Sequence, residues 1–110
     1  MRRGTISARI SDMTRDEAVG QLKTHVAAIK ALGATSLYLF GSVARGDAGL
    51  ASDLDLFVDY DPNGRFNALD LVDIKLLLEA KLGLEVDITT RDSLHPSLAD
   101  QIQKSAVRVF

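Results

Sequence analysis

Asp53, Asp55 and Asp87, together with the Gly41-Ser42 pair, are the residues of this chain whose types and spacing could do chemistry. Asp53 and Asp55 flank a single leucine in an alternating segment. On a strand they project from one face, close enough to share a hard cation. Carboxylate oxygens are the ligands Mg²⁺ prefers, and that ion completes its shell with water and phosphate oxygens. Asp87 stands between Val86 and Ile88, mid-strand, where aspartate is disfavoured. If its strand neighbours that of Asp53, three carboxylates converge on one face. Ten residues separate Gly41-Ser42 from Asp53. Glycine lets the backbone approach a phosphate closely, free N–H groups at a helix start favour anions, and the Ser42 hydroxyl adds a donor. Arg45, one helical turn on, can reach a phosphate bidentately. Each feature alone has an ordinary reading: a capped turn, a solvated strand aspartate, a serine N-cap, an exposed arginine. Together they point to metal-assisted chemistry on a phosphate.

The elements that must position these residues can be read from periodicity. Thr14-Arg15-Asp16-Glu17 is a capping-box pattern, and Val19, Leu22, Val26 and Ile29 continue at helical spacing to Gly33, a left-handed C-cap. One amphipathic helix is expected there. Ser36 to Phe40 is a short apolar strand ended by Gly41; Ser42 to Arg45 makes one helical turn, and residues 46–49 a loop. Asp53 to Tyr60 alternates, with Leu54, Leu56 and Val58 inward and Asp53, Asp55, Phe57 and Asp59 outward. Asp61-Pro62-Asn63-Gly64 is a turn. Asn67 caps a helix running to about Leu82 and stopped by Gly83; its apolar residues exceed one core-facing stripe. That helix fills a groove between the sheet and the N-terminal helix, or else presents a second stripe to a partner or a second copy. Lys75 and Lys81 read as solvated. Leu84 to Thr89 is a further strand, Pro96 to about Ser105 a helix, and Val107 to Phe110 a short edge strand. The expected fold is a mixed-sheet α/β (α+β) domain with helices on one face. Residues 1–12 read as an arm and 13–110 as the domain.

Composition narrows the function classes. A chain of 110 residues, 46% hydrophobic and 25% charged, suits one domain. A net charge of −2 supplies no global basic field, so direct nucleic-acid binding is not expected. The absence of cysteine removes disulfides and thiolate metal sites. No apolar run approaches the roughly 20 residues needed to span a bilayer, and the basic N-terminus lacks the apolar region of a signal peptide; a cytoplasmic protein is expected. His25 and His95 read as structural, and neither pairs with a nucleophile at the spacing of a hydrolytic triad.

The compound pattern G-S-x(10)-D-x-D, met here by Gly41-Ser42 and Asp53-Leu54-Asp55, resembles the signature of the DNA polymerase β-like nucleotidyltransferase superfamily. The string GSVARGDAGLASDLDLFV, the later EVDITT and the tail LHPSLADQIQKSAV are similar to the minimal nucleotidyltransferases. These include the antitoxin half of HEPN–nucleotidyltransferase toxin–antitoxin pairs. The resemblance covers roughly residues 37–107. It implies a polymerase β-like fold, two Mg²⁺ ions bridged by Asp53 and Asp55, and Asp87 as the third carboxylate, holding the ion that activates the nucleophile. It further implies that Gly41 and Ser42 hold the triphosphate of ATP. AMP would then pass to a tyrosine of a HEPN ribonuclease toxin encoded nearby, in a hetero-oligomer. The alternative is a non-catalytic antitoxin that neutralises its partner by occlusion through the apolar helix 67–82.

Overall fold

A computed structural model of the chain describes residues 14–46 and 53–110. The boundary after residue 12 and the loop expected beyond Gly46 lie outside the described residues. Alternating segments build the middle of a four-stranded sheet: β1 (Ala34–Phe40), β2 (Leu54–Tyr60), β3 (Val86–Thr90) and β4 (Val107–Arg108), in the order β3-β2-β1-β4. β1 runs antiparallel to β2 and to β4, whereas β2 and β3 are parallel. Parallel neighbours need a long crossover. The helix between them supplies it.

Period-two patterning sends Leu37, Leu39, Leu54, Leu56, Val58 and Val86 to one face, all fully buried. That face is covered by α1 (Arg15–Lys23), α2 (Val26–Ala31) and α4 (Ala68–Leu82), which contribute Ala18, Leu22, Ile29, Ile74 and Leu78. The short α3 (Gly41–Arg45) adds Val43 and Ala44 to the same core. α5 (Pro96–Ser105) leads into β4 and so closes the sheet along the free edge of β1. The expected mixed sheet with helices on one face is the architecture found.

Capping chemistry sets the helix ends as read. Thr14 Oγ1 accepts from Glu17 N–H at 3.1 Å, and the Glu17 carboxylate accepts from Thr14 N–H at 3.0 Å. Asn67 and Asp70 form the same reciprocal pair at the start of α4. The N-terminal segment is nevertheless two helices, not the single one expected. Thr24 Oγ1 donates to the Gln21 carbonyl at 2.7 Å, and His25 N–H bonds three residues back to Leu22 O. A side chain that competes for a helix carbonyl tightens the turn and ends the run.

Two burial expectations change. Phe57, read as outward, is fully buried on the face opposite the main core. Its ring stacks on Tyr38 at 4.8 Å and meets Phe40 at 5.8 Å. α4 buries only Ile74 and Leu78, leaving Leu69, Val72 and Leu76 exposed at 73%, 47% and 55%. The groove-filling reading thus accounts for one stripe, and the second faces solvent.

Candidate active site

Register brings the sequence-predicted carboxylates together. Phe40 of β1 pairs with Asp55 of β2, and Asp55 pairs with Asp87 of β3. Side chains at paired positions share a face, so Asp55 and Asp87 stand side by side beyond the Tyr38–Phe57 stack. Asp53, exposed, immediately precedes β2.

Gly41 follows Phe40 directly, with φ +78°. A Cβ there would overlap Asp55 Oδ2 and lie 3.0 Å from Asp55 Cγ. The residue is therefore glycine for two reasons: the left-handed backbone, and the carboxylate that occupies the space a side chain would take. α3 starts at this turn, with Val43 and Ala44 anchoring it in the core and Gly46, φ +76°, ending it. Ser42 is half-exposed at its first turn, and Arg45 is exposed at its last.

Electrostatics ties the set together. The Asp55 carboxyl is raised above its ordinary value, first by burial and then by the negative charges of Asp87 and Asp53, while Arg45 opposes the rise. The other three sequence-predicted charged residues therefore all act on Asp55. Among the described residues no three metal-binding side chains are drawn into a closed chelating group. The donor set still fits a hard cation, because two further carboxylates crowd the half-buried Asp55 carboxylate, a repulsion that a cation would relieve.

A cleft of about 450 Å³ opens elsewhere, at the far end of β2, lined by Tyr60, Phe66, Asn67, Leu71, Thr90 and Asp92 among others. None of the three carboxylates lines it. The sequence-predicted carboxylates therefore converge outside this cleft.

The chain matches the nucleotidyltransferase domain model over residues 22–109. The chain belongs to the nucleotidyltransferase domain family. This nucleotidyltransferase is 31% identical over 98 residues to the protein adenylyltransferase MntA of Thermococcus cleftensis, covering 88% of this chain and 97% of that one. It is 44% identical over 72 residues to a Methanocaldococcus jannaschii protein grouped by its name with the protein adenylyltransferases, covering 66% and 75% of the two chains. A solved minimal nucleotidyltransferase structure superposes with a TM-score of 0.73 at 35% identity, over 88% of this chain and 97% of that one. The same fold recurs, at 16% identity and a TM-score of 0.60, in a complex of a tri-AMPylated Shewanella oneidensis HEPN toxin with an MNT antitoxin, over 84% and 71% of the chains. The protein is thus an enzyme of the nucleotidyl-transfer class.

Three residues make contacts between elements that the sequence pattern does not reveal. Arg91 makes a two-point ion pair with Asp59, Nε to Oδ1 at 2.7 Å and Nη2 to Oδ2 at 3.0 Å. Its guanidinium lies over Tyr38 and Phe57, 4.8 and 4.9 Å from the ring centres, and it donates to Gln103 on α5. Lys75, expected to be solvated, instead donates to the Val86 carbonyl at 2.7 Å and pairs with Glu79 at 3.2 Å. Glu79 in turn accepts from Val86 N–H. His95 is structural as expected, its Nδ1 accepting from Ser97 N–H at the start of α5. His25 is half-buried between α1 and α2.

Proposed function

We propose that this nucleotidyltransferase moves AMP from ATP to a tyrosine hydroxyl of a HEPN-type ribonuclease partner encoded nearby, and so acts in the cytoplasm as that toxin's antitoxin. The observation that carries the reading is Asp55, wedged against the Gly41 turn and repelled by Asp87 and Asp53. An anion-seeking turn thereby abuts a cation-seeking cluster, the two halves needed to hold a metal–triphosphate. The MntA relative and the HEPN–MNT complexes of the same fold support the choice of acceptor.

In this scheme Asp53, Asp55 and Asp87 would hold Mg²⁺, two ions being expected. When bound, the metal would lower the pKa of the acceptor hydroxyl and offset charge on the α-phosphoryl group. Gly41 and Ser42 present backbone N–H groups and a hydroxyl to the phosphates, and Arg45 adds positive charge beside them. These groups position the nucleotide and need make no covalent bond to it. The acceptor oxygen forms a bond to Pα, the Pα–O bond to the β-phosphate breaks, pyrophosphate departs with the electron pair, and the hydroxyl proton is released.

The test uses α-labelled ATP, Mg²⁺ and the purified HEPN partner. Label is expected on the partner, and Asp53→Asn or Asp55→Asn is expected to abolish it while the domain still folds. Full transfer by the Asp53→Asn/Asp55→Asn double variant would refute the assignment. The exposed Leu69, Val72 and Leu76 favour a second reading, neutralisation by occlusion. Inhibition of the partner with no label, lost in a Leu69→Gln/Leu76→Gln variant, would select it.

A further inference from the structure

β3 is an edge strand of the sheet, and it carries Asp87. Edge strands fray readily, because one row of their backbone groups has no strand to bind. Here the exposed row begins at Val86. Leu54 N–H donates to the Glu85 carbonyl at 3.1 Å, so the Glu85 carbonyl faces β2. Backbone groups alternate in direction along a strand, which turns the N–H and C=O of Val86 outward. Neither is left open. Lys75 Nζ donates to Val86 O at 2.7 Å, and Glu79 Oε2 accepts from Val86 N–H at 3.1 Å. Lys75 and Glu79 are one helical turn apart and bond each other at 3.2 Å. They mimic the donor and acceptor that a neighbouring strand would offer.

Their helix is not free to drift. Ile74 and Leu78, adjacent in sequence to Lys75 and Glu79, are fully buried in the core. Val86 is itself 1% exposed. The residue immediately before Asp87 is therefore gripped at its backbone by a core-anchored helix and at its side chain by the core, while Asp87 points to the opposite face beside Asp55.

We propose that Lys75 and Glu79 are positioning residues: through the Val86 backbone they hold the Asp87 carboxylate in register with Asp55, and so set how readily the site takes up its divalent cation. This rests on the assignment of Asp87 as a metal-holding carboxylate. It adds that this ligand's placement is controlled from α4, a helix that contributes no group to the site itself.

The experiment compares wild type with Lys75→Met, Lys75→Arg, Glu79→Gln and Asp87→Asn. Three quantities are read: Mg²⁺ affinity by calorimetry in the presence of α,β-methylene-ATP, the half-saturating Mg²⁺ concentration for transfer, and amide exchange at Val86 and Asp87. Lys75→Met is expected to speed exchange at both amides and to weaken Mg²⁺ several-fold, with a much smaller change in nucleotide KM at saturating Mg²⁺. Lys75→Arg, which keeps a donor for the Val86 carbonyl, is expected to restore most of the affinity. Glu79→Gln, able to accept from Val86 N–H but without the charge, is expected to fall between. Faster exchange in Lys75→Met with unchanged Mg²⁺ affinity would overturn the proposal and leave the pair a purely structural edge cap. Should Lys75→Met fail to fold, Glu79→Gln decides by the same criterion. Wild-type Mg²⁺ affinity and transfer in Asp87→Asn would instead overturn the assignment of Asp87, an outcome separable from the others.

Discussion

Asp55 leans on Gly41 while facing Asp87 and Asp53, and its carboxyl stands above the usual range because of burial first and those charges second. A raised value in the folded chain means that folding favours the protonated form. The resulting cost to stability is absent below the ordinary aspartate range and grows as pH rises through the folded value. Asp55 is half-exposed, so solvent screens much of this. Asp55→Asn is accordingly expected to raise Tm modestly at neutral pH. The gain should vanish in acid, and thermal melts at pH 7 and pH 3.5 check both halves. Gly41→Ala works the other way. The new Cβ collides with Asp55 in a left-handed backbone, which costs on the order of 1–2 kcal/mol and displaces the carboxylate; transfer should fall at least about 100-fold. The aspartates and the glycine were legible in the sequence because their spacing is local. Asp53 immediately precedes the strand that carries Asp55, and Gly41 follows the end of the strand before it.

At the level of elements, what could not be read in advance is what depends on long side chains crossing between segments. Asp59 and Arg91 are 32 residues apart, and Lys75 reaches a backbone carbonyl eleven residues on. No periodicity encodes such pairs. For Phe57 the alternation assigns the right face, but the rings of Tyr38 and Phe40 and the guanidinium of Arg91, which come from other segments, bury it there. Arg91 therefore closes the second layer. Arg91→Ala should destabilise the fold by about 1–3 kcal/mol, since it forfeits a two-point ion pair and a guanidinium–ring contact together. Arg91→Lys should recover little, lacking the planar fork. Urea melts of both variants measure the difference; equal stability of Arg91→Lys and wild type would show that charge alone suffices. The break between α1 and α2 is a further limit of pattern reading. The apolar spacing runs straight through it, while the Thr24 hydroxyl that tightens the turn leaves no periodic trace.

Across the whole molecule the site is assembled from opposite chain directions. β1 delivers its C-terminal end, Phe40 into Gly41, while the parallel β2 and β3 deliver their N-terminal halves. The Gly41 turn and Asp55 thus meet across an antiparallel joint, and the parallel β3 sets Asp87 beside them. Binding of Mg²⁺ with α,β-methylene-ATP should then lock this joint. At about 100 times its dissociation constant the ligand would add about 2.7 kcal/mol of stability. That increment should appear as a rise in Tm in wild type and disappear in the Asp53→Asn/Asp55→Asn double variant.

The grip of Lys75 and Glu79 on Val86 has a consequence for how the protein behaves at high concentration. β4, at the opposite border, is only two residues long, and at β3 the first outward backbone pair is already occupied by side chains. Neither border offers a long bare template onto which a second sheet could grow. In Glu79→Ala the Val86 N–H is released, and light scattering of concentrated solutions should rise over hours where wild type stays clear. The two side chains would then act as a guard against fibre growth, keeping this small domain dispersed.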